Sequence, residues 1–242
     1  MDGLVLALFL ISLFFGGIVT GLAGFAMGLV VSGLWLHILT PAQTAALIVG
    51  YGLLVQSYSI WTLRHALRWR AVTPFIVGGA IGVPLGALLL TTINPAYLRT
   101  GVGVLLVAYS AYFLMTPKVH TIRAGVPADV GVGILNGILG GLTGLAGPVI
   151  TIWCQLRGWR KDEQRAIFQP VILAAFVLTA VSLTVNGTVT VELIKLYLMG
   201  LPVLITGVLV GLKLYGHLND VAFRKLILYL LLLSGLVLIA PF

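Results

Sequence analysis

The chain has 242 residues, of which 60% are hydrophobic and 8% charged, with a mean hydropathy of +1.15. A soluble domain covers its surface with roughly 25% charged residues, so this composition excludes a water-soluble globular protein. The formal net charge of +8 does not read as nucleic-acid binding, because the basic residues sit in short loops between apolar runs, where membrane topology places them.

The apolar runs, in chain order, span about 4–39, 42–62, 72–91, 97–115, 129–156, 166–186, 191–212 and 222–240. They are long and unbroken, unlike the alternating segments of about ten residues that mark a transmembrane β-barrel. The reading is an all-α integral membrane protein with about eight hydrophobic segments. Met1-Asp2-Gly3 brings no basic region before the first run, so no cleaved signal peptide is expected. The single cysteine, Cys154, excludes an internal disulfide and reads as a buried thiol.

The first and fifth runs are both too long for one span, and both contain one pentapeptide. Thr20-Gly21-Leu22-Ala23-Gly24 recurs as Thr143-Gly144-Leu145-Ala146-Gly147, 123 residues later. Gly82 and Gly86 are matched by Gly207 and Gly211, and Asn94 and Arg99 by Asn219 and Arg224, at an offset of 125. The chain therefore reads as an internal duplication. Residues 1–116 form the first membrane repeat, 117–123 a cytoplasmic linker and 124–242 the second repeat.

Twelve of the 14 Lys and Arg residues fall in four loops, after the second, fourth, fifth and seventh runs, which places those loops inside. The fifth run is then flanked by basic loops on both sides, which a single crossing cannot satisfy. At 1.5 Å per residue its 28 residues reach about 42 Å, too little for two full crossings of about 30 Å each. A helix that breaks at the pentapeptide and returns fits better, and the first run fits a deeper hairpin. Three full spans added to each hairpin turn the second half upside down. The expected architecture is two inverted-topology repeats, each with a Gly-rich broken or re-entrant helix. Eight plain spans in two parallel repeats are the alternative.

Inverted repeats with broken helices are a pattern of secondary transporters. A break frees backbone N–H groups whose positive dipole end attracts anions, while glycine admits the ligand and threonine adds a hydroxyl. Thr20, Gly21, Gly24, Thr143, Gly144 and Gly147 are thus candidates for an anion cradle. Glycines at three-residue gaps equally serve close helix packing. Of the polar residues inside spans (Gln56, Ser57, Asn136, Gln155, Gln169), Gln56 and Asn136 are the leading candidates to line the path, with helix–helix bonding as the alternative. Arg165, at the entrance of the sixth run, either guides an anion or sets topology.

The six acidic residues, Asp129 among them, fall at or beyond span ends, which argues against a proton relay through a midplane carboxylate. No nucleophile–base pair or nucleotide-binding motif is present, so no enzyme, cofactor or metal site is expected.

The chain resembles the sulfite exporter TauE/SafE family over nearly its whole length. The resemblance rests on Gly17 to Gly28, Pro41 to Ala46, His65 to Trp69 and the Gly78, Gly82, Gly86 series with Pro84. In the second half it rests on Gly140 to Pro148, Arg157-Gly158 and Arg165-Ala166. Pro148-Val149 departs from the two consecutive prolines of the family pattern. The resemblance implies an inner-membrane transporter of a small sulfur-containing anion such as sulfite, sulfoacetate or another organosulfonate. Its partners are then that anion and the lipid bilayer, with a homo-oligomer allowed and the coupling ion and direction left open. A passive anion channel and a non-transporting membrane scaffold remain as alternatives.

Overall fold

Long apolar stretches interrupted by glycine and proline dictate helices with defined breaks. The computed structural model describes residues 3–62, 64–65, 67–92, 95–116, 121–143, 147–185 and 190–239. Its described residues form ten helices and no strand: α1 (Gly3–Ala23), α2 (Met27–Ile38), α3 (Pro41–Thr62), α4 (Trp69–Thr92), α5 (Pro95–Met115), α6 (Val126–Thr143), α7 (Pro148–Leu156), α8 (Lys161–Val185), α9 (Val191–His217) and α10 (Asp220–Ile239). The eight apolar runs become ten helices because the first and fifth are each split in two. Both splits fall at the repeated pentapeptide.

The two split runs fold back on themselves. In the first, Gly16 of α1 packs on Met27 and Val31 of α2, while Ser12 accepts a hydrogen bond from Trp35 Nε1 at 2.9 Å. Phe9, still earlier in α1, stacks on Trp35 with ring centroids 4.7 Å apart. As α2 advances, its partners on α1 recede, so the pair is an antiparallel hairpin. In the second, Ile150 N–H of α7 reaches Asn136 of α6, Trp153 reaches Asp129, and Ile122 N–H meets the Leu156 carbonyl at 2.8 Å. That segment also leaves and returns at one end. With 12 and nine residues, α2 and α7 are about 18 and 14 Å long, well short of a hydrocarbon core of about 30 Å.

The helices gather into two compact units, each drawing on both halves of the sequence. One unit holds α1–α3, α8 from Phe176 onward, and α9. The other holds α4–α7, α8 as far as Ala175, and α10.

Glycine makes the tightest contact in each unit. In the first, Gly17 and Gly21 of α1 lie on Gly207 and Gly211 of α9, and a Cβ at Gly17 would come within 2.9 Å of the Leu204 carbonyl oxygen. In the second, Gly78, Gly82 and Gly86 of α4 meet the backbone of α6 at Val130, Ile134 and Ile138, while Gly133 and Gly137 of α6 meet Phe75 and Gly79 of α4. Lipid offers no hydrophobic drive between helices, so close backbone approach and van der Waals contact hold them. Tyr51 of α3 and Tyr197 of α9 add a reciprocal pin: their rings stack at 4.7 Å, and each hydroxyl donates to a carbonyl of the other helix.

The outer faces are apolar. Leu4, Leu8, Ile11 and Phe15 form an exposed stripe along α1, opposite the buried Phe9, Leu13, Gly17 and Gly21. Among the described residues, α1, α9, Gln43–Thr62 of α3 and Lys161–Val181 of α8 are long and apolar enough to cross a membrane.

Candidate functional site: the two hairpin turns

The first turn is made by three residues. Gly24 has φ +86° and its N–H donates to the Thr20 carbonyl at 2.7 Å, closing α1. Phe25 is buried, and Ala26 then takes a left-handed φ of +79° as the N-cap of α2. A left-handed alanine costs roughly 1–2 kcal/mol relative to right-handed backbone, a strain of the kind that concentrates at functional sites. Ala26 has no side-chain oxygen, so α2 starts without a side-chain cap from its own N-cap residue. Valine at this position adds a β-branch to the same strained backbone. Ala26→Val is expected to lower the melting temperature, and Ala26→Gly to leave it unchanged or raise it, as followed by tryptophan fluorescence.

Around this turn the predicted residues take distinct places. Thr20 is buried one turn before the break, and its Oγ1 donates back to the Gly16 carbonyl at 2.8 Å. Gly21 faces α9, where its missing Cβ makes room for the Val208 carbonyl. Gln56, on α3, is 2% exposed, and its Nε2 donates to the Gly24 carbonyl at 2.9 Å. Thr20, Gly24 and Gln56 therefore form one hydrogen-bonded group.

The residues that flank the second turn take comparable places. Thr143 ends α6, and its side chain and Gly144 lie outside the described residues. Buried Gly147 is the N-cap of α7, and Pro148 opens that helix, where its missing N–H costs nothing. Gly147 supplies no cap oxygen, and Asn136 of α6 replaces it: its Oδ1 accepts from the Ile150 N–H at 3.4 Å. Thr151 returns its hydroxyl to the Gly147 and Pro148 carbonyls. Both short helices thus begin at a turn whose own cap residue offers no side-chain acceptor.

Arg165 is 1% exposed on α8, deeper than a loop residue that merely sets topology. With the Gln169 amide turned so that its oxygen faces the guanidinium, that oxygen accepts from Nε at 3.1 Å and Nη2 at 3.0 Å. The amide supplies hydrogen bonds and no charge. Gln155 on α7 is 3% exposed, and neither end of its amide has a hydrogen-bond partner.

The base of the second hairpin holds a group that sequence reasoning read separately. Asp129, near the start of α6, accepts from Trp153 Nε1 at 2.8 Å and lies 3.6 Å from Arg157 Nη1. The same Nη1 donates to the Ala124 carbonyl at 2.7 Å, and Trp159 lies under the guanidinium at 5.1 Å. Gly158, at φ +67°, ends α7 with paired bonds from Gly158 and Trp159 N–H to the Gln155 and Cys154 carbonyls. Loop charge had suggested topology alone for Arg157. Arg157→Gln is expected to destabilise the protein by about 1–3 kcal/mol, because it leaves a mostly buried carboxylate without its cation; a thermal melt checks this.

The described residues contain no cluster of three or more His, Cys, Asp or Glu side chains able to hold a metal. The profile of the family described as Sulfite exporter TauE/SafE matches residues 8–238. A curated relative, the Probable inner membrane transporter protein TsaS of Comamonas testosteroni, is 27% identical over 173 residues, covering 70% of this chain and 72% of that protein. No solved structure matches. With nearly every helix inside the matched span, the chain belongs to the sulfite exporter TauE/SafE family, whose members are membrane transporters and not enzymes.

Proposed function

We propose that this protein is an inner-membrane carrier for a small sulfur-containing oxyanion, such as sulfite, sulfoacetate or another organosulfonate. It works by alternating access between two inverted repeats. One observation carries the reading: each copy of the repeated pentapeptide sits where a helix reverses into a hairpin and a short helix begins uncapped by its own N-cap residue. Helix N-termini concentrate N–H donors and positive dipole, which suits a small oxyanion and little else in an apolar surround.

Loop charge supplies the orientation. With the basic loops inside, the first hairpin opens outward and the second opens to the cytoplasm, as inversion requires. Substrate-facing groups are the backbone at Gly24 and Gly147, Asn136, and the hydroxyls of Thr20 and Thr143. Thr20 releases its hydrogen from the Gly16 carbonyl to serve the bound anion. Arg165 draws the anion toward the cytoplasmic side.

The test is flux of sulfite, sulfate, sulfoacetate and taurine into proteoliposomes. Saturable, exchangeable flux of one sulfur anion is the expected result. Linear flux identifies a channel, and no flux from folded protein leaves a scaffold. Thr20→Val and Thr143→Val should each slow transport about tenfold, the worth of one hydrogen bond to a charged ligand. Wild-type flux in both variants removes the threonines from the cradle.

A further inference from the structure

A polar centre of the opposite character lies on α3, beside the first turn. Because the Gln56 amide nitrogen is committed to the Gly24 carbonyl, the end of the amide left over is its oxygen. That Oε1 is buried and has no hydrogen-bond partner. Ser59 is one helical turn further on, also 2% exposed, and its Oγ has no partner either. Ser57 and Tyr58, between them, are exposed, so Gln56 and Ser59 share the inward face of α3.

A carboxamide oxygen only accepts. A deprotonated sulfite or sulfonate also offers only acceptors, so it cannot satisfy Gln56 Oε1. The carbonyl end of α1 reaches the same place, since Gly24 is the residue after its last turn, and such an end carries partial negative charge. Neutral oxygens on one buried face of α3, beside the helix C-terminus that Gln56 touches, suit a hard monovalent cation.

We propose that Gln56 Oε1 and Ser59 Oγ, with the carbonyl end of α1, bind a sodium ion. That this ion travels with the anion rests on the carrier reading above; the binding site itself does not. Co-transport gives the site a purpose when the anion moves inward: an inside-negative membrane potential opposes that movement, and a bound cation offsets one negative charge. Gln56 then serves the co-ion, and the turn it touches links cation binding to the geometry of the anion cradle.

The experiment is thermal melting of the purified protein, with no anion substrate, in sodium chloride or choline chloride at constant ionic strength. Sodium should raise the melting temperature saturably. Ser59→Ala should raise the half-saturating sodium concentration at least about tenfold, as loss of one ligand would, while leaving the melting temperature in choline within a few degrees. Ser59→Thr, which keeps the hydroxyl, should restore sodium binding. Superimposable sodium and choline curves for the wild type overturn the proposal, and so does an unshifted sodium midpoint in Ser59→Ala. Proteoliposome flux separates the two readings: sodium-dependent melting in a protein that moves no anion retires the carrier and keeps the cation site.

Discussion

Replacing Gly82 by leucine is expected to abolish the folded protein. A Cβ at this position would run into the backbone carbonyl of Ile134 on α6, and backbone cannot step aside as a side chain can. Gly78, Gly82 and Gly86 repeat this contact over two turns, so α4 would have to lift off α6 along the whole stripe. Overpacking a core usually costs about 1–3 kcal/mol, and a clash with a partner backbone lies at or above the top of that range. Size-exclusion chromatography of the detergent-solubilised protein should show aggregate in place of a sharp peak. Gly101→Ala is the matched control, because nothing lies within 4 Å of a Cβ there. A monodisperse Gly82→Leu protein with wild-type melting would refute the account of how α4 and α6 are joined.

The second large effect concerns transport without folding. Asn136→Asp keeps an acceptor for the Ile150 N–H, and a carboxylate is a favourable group at a helix N-terminus. The helix N-terminus offsets part of the cost of burying a carboxylate, so the variant should stay folded and melt within a few degrees of wild type. The same negative charge now occupies the start of α7, where the carrier reading puts the anion. Flux should fall about a hundredfold, since like charges inside a low-dielectric site repel by several kcal/mol. Asn136→Leu makes the contrast: it leaves the Ile150 N–H without its acceptor at a cost of about 1–3 kcal/mol, so it should lose stability along with flux. Wild-type transport by Asn136→Asp would show that the second turn does not hold the substrate.

Much of the helical layout is legible in hydropathy, because lipid and water sort residues so sharply. The outer boundaries of the runs fall within about five residues of helix ends, although the first and fifth runs each become two helices, and α8 starts five residues before its run because Lys161 to Arg165 form a polar first turn. That turn is held by Glu163, which accepts from the Arg160 N–H, and by Asp220, which accepts from the Lys161 N–H. Neither bond leaves a trace in an apolar pattern. Flanking charge and the length of the fifth run together pointed to a return, against plain spans, and the Ile122–Leu156 contact is its physical counterpart.

Partner choice was not legible. Gly21 belongs to the pentapeptide, yet its Cα faces α9, and a glycine's sequence context does not say whether a ligand or a helix takes the space. Ser57 and Ser59 look alike in sequence, and only burial separates them. Asp129 and Arg157, 28 residues apart, meet because the hairpin closes, so each alone looked like an ordinary span-end charge.

The pairing of α1 with α9 also sets a clock for synthesis. Chains grow at about 5–20 residues per second, so roughly 10–40 s separate the emergence of Gly17 and Gly21 from that of Gly207 and Gly211. The glycines of α6 follow those of α4 within roughly 3–11 s. During the longer wait α1 must survive in the bilayer with lipid against its narrow face. Thr20 makes that tolerable, since its hydroxyl is satisfied by its own helix. Cellular quality control therefore meets the nascent protein with its α4–α6 seam already closed and its α1–α9 seam still open.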